Sequence, residues 1–184
     1  IFPLSKGGSR TSPANYRPLS LTSHVIKIFE RVIKKYVVEH LESNSVLNVN
    51  QHGFRSKRGT ITQLLEHYDT ILDALCMGSN VDVIYLDFAK AFDKVDHELL
   101  LAKTYNCGIQ GKIHKWLETF LKNRTQSVIV DGALSSPLNV LSGVPQGTVL
   151  GHILFLIMAN DLSLSCKYTN ISCFADDTRI LATI

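Results

Sequence analysis

The chain has 184 residues, of which 45% are hydrophobic and 19% charged, and its formal net charge at pH 7 is +3. This size allows one domain, or a two-lobed one, with a buried core, and so small a charge does not by itself indicate a nucleic-acid-binding protein. Four cysteines without a CxxC pair argue against a zinc site and a disulfide framework, so we expect reduced, intracellular thiols. The longest apolar run, at positions 149–158, is too short to span a bilayer and predicts a core helix.

The amino-terminal segment is basic and rich in glycine. From Leu4 to Pro18 we predict an irregular loop, which either approaches phosphate groups or is an ordinary solvated loop. From position 22 to 41 apolar residues recur with helical spacing, which predicts an amphipathic helix. Its charged residues are expected to face solvent or to touch nucleic-acid phosphates: Glu30, Arg31, Lys34 and Lys35.

A second helix is predicted after a basic loop at positions 51–59. Thr60 and Gln63 fit a capping box at its start. The apolar residues that follow share one face, which indicates a structural helix: Leu64, Leu65, Tyr68, Ile71, Leu72 and Leu75.

Asp87 ends an apolar, β-branched run. The run predicts a strand, after which the pattern changes to a short loop and a helix that opens near Asp96. A carboxylate at the carboxyl end of a strand is well placed for chemistry. A further helix is predicted at positions 113–121, after the break at 108–111.

Asp131 and Gly132 predict a hairpin that leads into a tight loop at positions 141–148. Pro145 and two glycines, one of them Gly147, force this loop to turn just before the apolar helix. Backbone N–H groups and the helix dipole at such a place favour an anion, although a plain capped loop has the same geometry.

Two adjacent carboxylates, Asp176 and Asp177, lie at the bend between two apolar strands. The two carboxylates repel each other, so the pair costs little folding free energy only where a cation or a basic side chain neutralises it. Mg²⁺ prefers such oxygen ligands and combines one or two carboxylates with substrate phosphates. Aspartates are also common in hairpin turns, so the pair alone leaves both readings open.

Three stretches carry a resemblance to a known family. YLDFAKAFDKVDH at 85–97, SGVPQGTVLG at 142–151 and FADDT at 174–178 resemble the motifs of reverse transcriptases from non-LTR (LINE-type) retrotransposons. The motifs arrive in the family's order and the resemblance covers nearly the whole chain. It implies RNA-directed DNA synthesis, with an RNA template, a DNA primer and dNTPs as partners.

The resemblance implies an α+β fold: the fingers and palm of a right-hand polymerase, with a small antiparallel palm sheet covered by helices and the thumb absent. Residues 1–80 and 98–146 would belong to the fingers, and residues 81–97 and 147–184 to the palm, within one incomplete domain. The chain starts at Ile1 and shows no signal peptide, so we expect a fragment, located in the nucleus or in a cytoplasmic ribonucleoprotein.

The resemblance also implies roles for individual residues. Two Mg²⁺ ions, or Mn²⁺, would be held by Asp87, Asp176, Asp177 and the backbone carbonyl of Phe88. The incoming nucleotide would meet Lys6, Arg17, Phe92, Gln146 and Gly147, with the ring of Phe92 excluding a 2′-hydroxyl. The template and primer would meet Gln51, Gly53, Phe54, Arg55 and Arg58.

Three residues depart from the family pattern. His152 stands where proline is usual, Ala159 replaces a larger apolar residue, and Thr104 stands where leucine would pack. A buried polar group costs about 1–3 kcal/mol if it is left without a partner. Two other readings therefore stay open: a catalytically silent remnant that binds nucleic acid, and an unstable pseudogene product. An RNA-dependent RNA polymerase would share the carboxylates, but Phe92 argues against it.

Overall fold

The computed structural model describes residues 1–166 and 169–184. Five α-helices occur in these residues: α1 (His24–Ser43), α2 (Thr60–Cys76), α3 (His97–Asn106), α4 (Gly111–Leu121) and α5 (Gly151–Ala159). Short 3-10 turns lie at Pro13–Asn15, Ala91–Lys94 and Leu162–Ser165. Within the described ranges no helix is both long enough and apolar enough to cross a membrane.

The strands of the described residues form small antiparallel sheets. They are β1 (Phe2–Ser5), β2 (Tyr16–Leu19), β3 (Val81–Leu86), β4 (Thr125–Gln126), β5 (Ile129–Val130), β6 (Ala133–Leu134), β7 (Leu138–Asn139), β8 (Asn170–Phe174) and β9 (Asp177–Thr183). β1 pairs with β2, β4 with β7 and β5 with β6, while β3, β9 and β8 form a three-stranded sheet in that order. The mixed α+β class is therefore as predicted.

The three-stranded sheet carries the predicted carboxylates. Leu86 of β3 pairs with Thr178 of β9, and Phe174 of β8 pairs with Asp177 of β9. The edge of β8 is extended by the loop after α1, because the amide of His52 donates to the carbonyl of Cys173 at 2.8 Å. Helix α2 packs against the sheet at β3 and β8.

The core lies between α5 and the helices around it. Every residue of α5 from Ile153 to Ile157 is buried, because this apolar helix is enclosed on all sides. α3 packs against it, and Leu100, Leu117 and Leu121 complete the contact from α3 and α4. The apolar run was correctly predicted to be a core helix.

Several local predictions are confirmed. The carboxylate of Asp96 caps α3 by accepting from the amide of Leu99 at 2.8 Å. Asp131 and Gly132 form the hairpin turn with φ values of 49° and 81°, the left-handed conformations that a two-residue hairpin needs. The departure from the family pattern at Thr104 does not leave a polar group without a partner, because this fully buried side chain donates to the carbonyl of Leu101 at 2.8 Å.

Other local predictions are wrong. The amino-terminal segment is a hairpin of β1 and β2, and the irregular loop is confined to residues 6–15. Helix α2 starts one residue earlier than the predicted capping box, since Gly59 is its N-cap and donates its amide to Thr62 Oγ1 at 2.9 Å. Its predicted apolar stripe is largely exposed, and the buried residues of α2 are Gln63, His67 and Ala74.

Helix α1 buries part of its predicted apolar face, including Ile33, Val37 and Leu41, and leaves the rest of that face largely exposed. Glu30, expected to face solvent, is fully buried on the same stripe as Ile33 and Val37. Its Oε2 accepts from the amides of Val149 and Leu150, at 2.8 and 2.9 Å, just before α5 begins. Glu30 therefore joins α1 to the amino end of α5.

Candidate active site

The three predicted carboxylates meet at one end of the three-stranded sheet. Asp87 follows the last residue of β3, and continuing the β3–β9 register by one residue brings it level with Asp177. Asp176 occupies the two-residue turn between β8 and β9, after Ala175, whose φ is 56°. Asp87 and Asp177 are exposed, while Asp176 is partly buried.

The electrostatic environment of Asp176 is that of a crowded acidic site. Burial raises the pKa of its carboxyl, and the neighbouring charges of Asp177 and Asp87 raise it further. Arg17 acts in the opposite direction and lowers the pKa of Asp176. The carboxylates are thus close enough to repel one another, and a bound cation would relieve that repulsion.

A buried glutamine holds the turn in place. Gln51 Oε1 accepts from the amides of Ala175, at 2.9 Å, and Gly53, at 2.8 Å. Its Nε2 donates to the carbonyl of Ala175 at 3.3 Å. A Cβ on Gly53 would collide with the backbone nitrogen of Ala175. Gln51 and Gly53 therefore support the carboxylate turn, and their predicted template contacts stay a prediction.

The donor set fits a hard divalent cation. In the described ranges no three His, Cys, Asp or Glu side chains are arranged to hold a metal ion. Mg²⁺ commonly takes only one or two protein carboxylates and completes its shell with water and substrate phosphate oxygens. Asp87 and Asp176 can supply such a pair. The carbonyl of Phe88, the other predicted ligand, accepts from the amide of Ala91 at 3.3 Å and retains a second lone pair.

A cleft of about 280 Å³ brings together several residues predicted to bind the nucleotide. Its walls include Arg17, Phe92, Gln146 and Gly147, together with residues that the prediction did not place there. The full lining is Leu4, Arg17, Pro18, Leu19, Phe54, Phe92, Pro145, Gln146, Gly147, Gly151 and His152. Arg17 connects the cleft to the carboxylates, because it both lines the cleft and acts on Asp176.

The loop before α5 is fixed by hydrogen bonds from two directions. Gln146 Nε2 donates to Asp93 Oδ1 at 2.8 Å, and its carbonyl accepts from the amide of Ser20 at 2.8 Å. Gly143, with φ 87°, lies so close to Asp93 that a Cβ would be 2.8 Å from its carbonyl oxygen. These contacts hold the loop, and with it Gln146, at the mouth of the cleft.

Aromatic rings line one wall of the cleft. Phe92 stacks on Phe155 of α5 with 4.3 Å between ring centroids, and Phe54 meets it edge-on at 6.4 Å. The ring of His152 lies 4.4 Å from that of Phe54. Phe54 was predicted as a template contact, and here it shares the cleft with Phe92.

The remaining predicted residues lie elsewhere. Lys6 is exposed in the β1–β2 loop and does not line the cleft. Arg55 is paired with Glu42 at 2.6 Å and donates to the carbonyl of Asn48 at 2.7 Å. Arg58 donates to the carbonyl of Val49. Because both arginines bind the loop's own fold, their predicted template contacts do not follow from these positions.

Sequence reasoning missed three residues that shape the site: Glu30, Gln51 as a support, and His152 as part of the cleft wall. A signal existed for Glu30, since it lies on the helical stripe of Ile33 and Val37. The contacts of Gln51 had no local signal, because its partner Ala175 is 124 positions away.

Comparisons with known proteins relate the chain to reverse transcriptases. Residues 5–184 match the family model for reverse transcriptase (RNA-dependent DNA polymerase). The chain is 33% identical over 182 residues to the RNA-directed DNA polymerase from mobile element jockey of Drosophila melanogaster, covering 95% of this chain and 20% of that protein. It is 34% identical over 179 residues to the "Probable RNA-directed DNA polymerase from transposon X-element" of the same species, covering 93% of this chain and 19% of that protein.

The chain thus spans about a fifth of the length of these curated relatives. Among solved structures, it resembles telomerase from Candida albicans in complex with the TWJ fragment of telomeric RNA. That likeness has a TM-score of 0.61 at 12% identity and covers 80% of this chain and 29% of that one, so it shows the fold alone. Since the family model matches almost the entire chain, the chain belongs to the reverse transcriptase (RNA-dependent DNA polymerase) family.

Proposed function

We propose that the chain contains the nucleotidyl-transfer centre of an RNA-directed DNA polymerase, which joins a dNTP to a primer 3′-hydroxyl. The observation that carries this proposal is the meeting of Asp87, Asp176 and Asp177 at the end of two adjacent strands, with Arg17 both lining the cleft and acting on Asp176. Acidic residues that repel one another beside a basic side chain suit a substrate of phosphates and cations.

The catalytic work of this chain is positioning and charge balance. Divalent ions, when bound, supply the positive charge that stabilises the attacking and leaving oxygens. Asp87 and Asp176 would hold them, with Asp177 and the carbonyl of Phe88 in support. The guanidinium of Arg17 would bind the triphosphate, because it faces the cleft and already interacts with the acidic site.

The cleft walls would orient the nucleotide. Gln146 is held at the mouth by Asp93, so its backbone and side chain present a fixed surface to the nucleotide and the template base. Phe92 is held against Phe155 and would contact the sugar, where its ring leaves no space for a 2′-hydroxyl. Gly147, with φ 89°, brings the backbone close to Leu19 on the opposite wall, where a Cβ would be 2.6 Å from Leu19 Cδ1.

We assign residues 81–97 and 147–184 to the palm and residues 1–80 and 98–146 to the fingers of a right-hand polymerase. An RNA template, a DNA primer and a dNTP are the proposed partners, and Mg²⁺ or Mn²⁺ the proposed ions. An intracellular location, in the nucleus or in a cytoplasmic ribonucleoprotein, is part of the same proposal.

The test is primer extension on an RNA template, with and without Mg²⁺, comparing the chain with Asp87→Asn. Asp82→Asn is the matched control, since Asp82 is an exposed aspartate in β3, five residues before Asp87. We expect extension that requires Mg²⁺, survives in Asp82→Asn and is lost in Asp87→Asn. Salt-sensitive RNA binding without any extension by the folded chain would instead support a silent remnant.

A further inference from the structure

His152 lines the cleft but has no role in the proposed nucleotidyl transfer. It lies in the first turn of α5, partly buried, with its ring 4.4 Å from Phe54 and 6.2 Å from Phe92 between centroids. Within the described part of the chain, no protein group makes a hydrogen bond to its ring nitrogens. An aromatic ring that lines a cleft and keeps both nitrogens available can bind a planar, polar ligand.

Burial and a neighbouring positive charge act on the His152 ring. Burial lowers the pKa of its ring, and the charge of Lys34 on α1 lowers it further. The imidazole is therefore neutral at pH 7, with one N–H donor and one acceptor nitrogen.

We propose that His152 is a specificity-determining residue that contacts the nucleobase of the substrate. The inference rests on the proposed function: if the sugar lies against Phe92, the attached base reaches the neighbouring rings of Phe54 and His152, whose centroids are 6.4 and 6.2 Å from that of Phe92. Bases stack on aromatic side chains, and the two nitrogens can read a base edge. Proline, expected at this position from the family resemblance, offers neither an aromatic face nor a hydrogen bond.

Substitutions can separate the stacking of the His152 ring on the base from the hydrogen bonds of its nitrogens. His152→Ala removes the ring and its nitrogens, so we expect the KM for the dNTP to rise about tenfold with little change in kcat. His152→Phe keeps an aromatic face, so its KM should stay within about threefold of the wild type. Both variants lose the hydrogen bond to the base, so both should discriminate less well between correct and incorrect dNTPs.

The measurement is single-nucleotide insertion on an RNA template, with kcat and KM determined for correct and incorrect dNTPs. His24→Ala is the control, because His24 is exposed at the start of α1 and does not line the cleft. If His152→Ala fails to fold, His152→Phe and His152→Pro are compared instead. We expect the proline variant to show the rise in KM that is predicted for His152→Ala.

An active wild type whose His152 variants keep KM within twofold and leave dNTP discrimination unchanged would overturn the inference while leaving the proposed function intact. An equal fall in kcat and thermal stability without a change in KM would show a purely structural role and would also overturn it. A folded wild type that inserts no nucleotide would contradict the proposed function, and this inference with it.

Discussion

Glu30 provides a quantitative test of how the cleft is held together. Its carboxylate is fully buried and accepts from the amides of Val149 and Leu150, while Oε1 has no partner in the described residues. Glu30→Ala leaves two amides without this acceptor at the start of α5, and each buried unsatisfied amide costs about 1–3 kcal/mol. Removing the unpartnered Oε1 offsets part of that cost, so we expect a net loss of about 2–4 kcal/mol in unfolding free energy.

The assay is equilibrium unfolding in urea, monitored by circular dichroism. Glu39→Ala is the control, because Glu39 is an exposed glutamate on the same helix and should change stability by less than about 0.5 kcal/mol. Glu30→Gln keeps one acceptor oxygen and should lose less stability than the alanine variant. If Glu30→Ala unfolds within 0.5 kcal/mol of the Glu39→Ala control, roughly the error of the method, the reasoning about these hydrogen bonds is refuted.

Three further predictions concern the loop, the pH response and the sugar. Gly143→Ala should destabilise the chain by about 1–3 kcal/mol more than Gly132→Ala. Both glycines have positive φ, but of the two only Gly143 would place a Cβ within 4 Å of other backbone atoms. Equal unfolding free energies for the two variants would contradict this. Burial lowers the pKa of His52 and His67, so the folded state resists their protonation. The unfolding free energy should therefore fall as the pH drops below about 6.5, towards 5. An unfolding free energy that stays constant over this pH range in urea titrations would refute this prediction. Phe92→Val should admit rNTPs, and an unchanged dNTP-to-rNTP insertion ratio would exclude a steric role for the ring.

The sequence predicted elements whose signals are local. The Asp131–Gly132 turn, the Asp96 cap and the apolar helix each follow from a few neighbouring residues. The face that a helix buries cannot be predicted from neighbouring residues in the same way, because α1 carries apolar residues on more than one side. Tertiary packing selects the stripe of Ile33 and Val37, which joins the core cluster that contains α5, and it buries Glu30 on the same stripe.

The same distinction applies to the site. The strand that ends at Asp87 and the turn that holds Asp176 could be predicted locally, and the family resemblance assigned both residues to one metal site; the structure brings them to the same end of one sheet. The supports could not, because Gln51 contacts a turn far along the chain and Arg55 is occupied by Glu42. A basic residue in a loop gives no indication whether it meets phosphate or a carboxylate of its own fold.

The central claim is that the carboxylate turn performs nucleotidyl transfer. It is tested most directly by extending a labelled primer on an RNA template with Mg²⁺ and dNTPs, using the chain and its Asp176→Asn variant side by side. Both proteins should first show the same cooperative unfolding transition. The account predicts extension by the chain and none by the variant. Equal extension by both proteins, or none by the folded wild type, would contradict it.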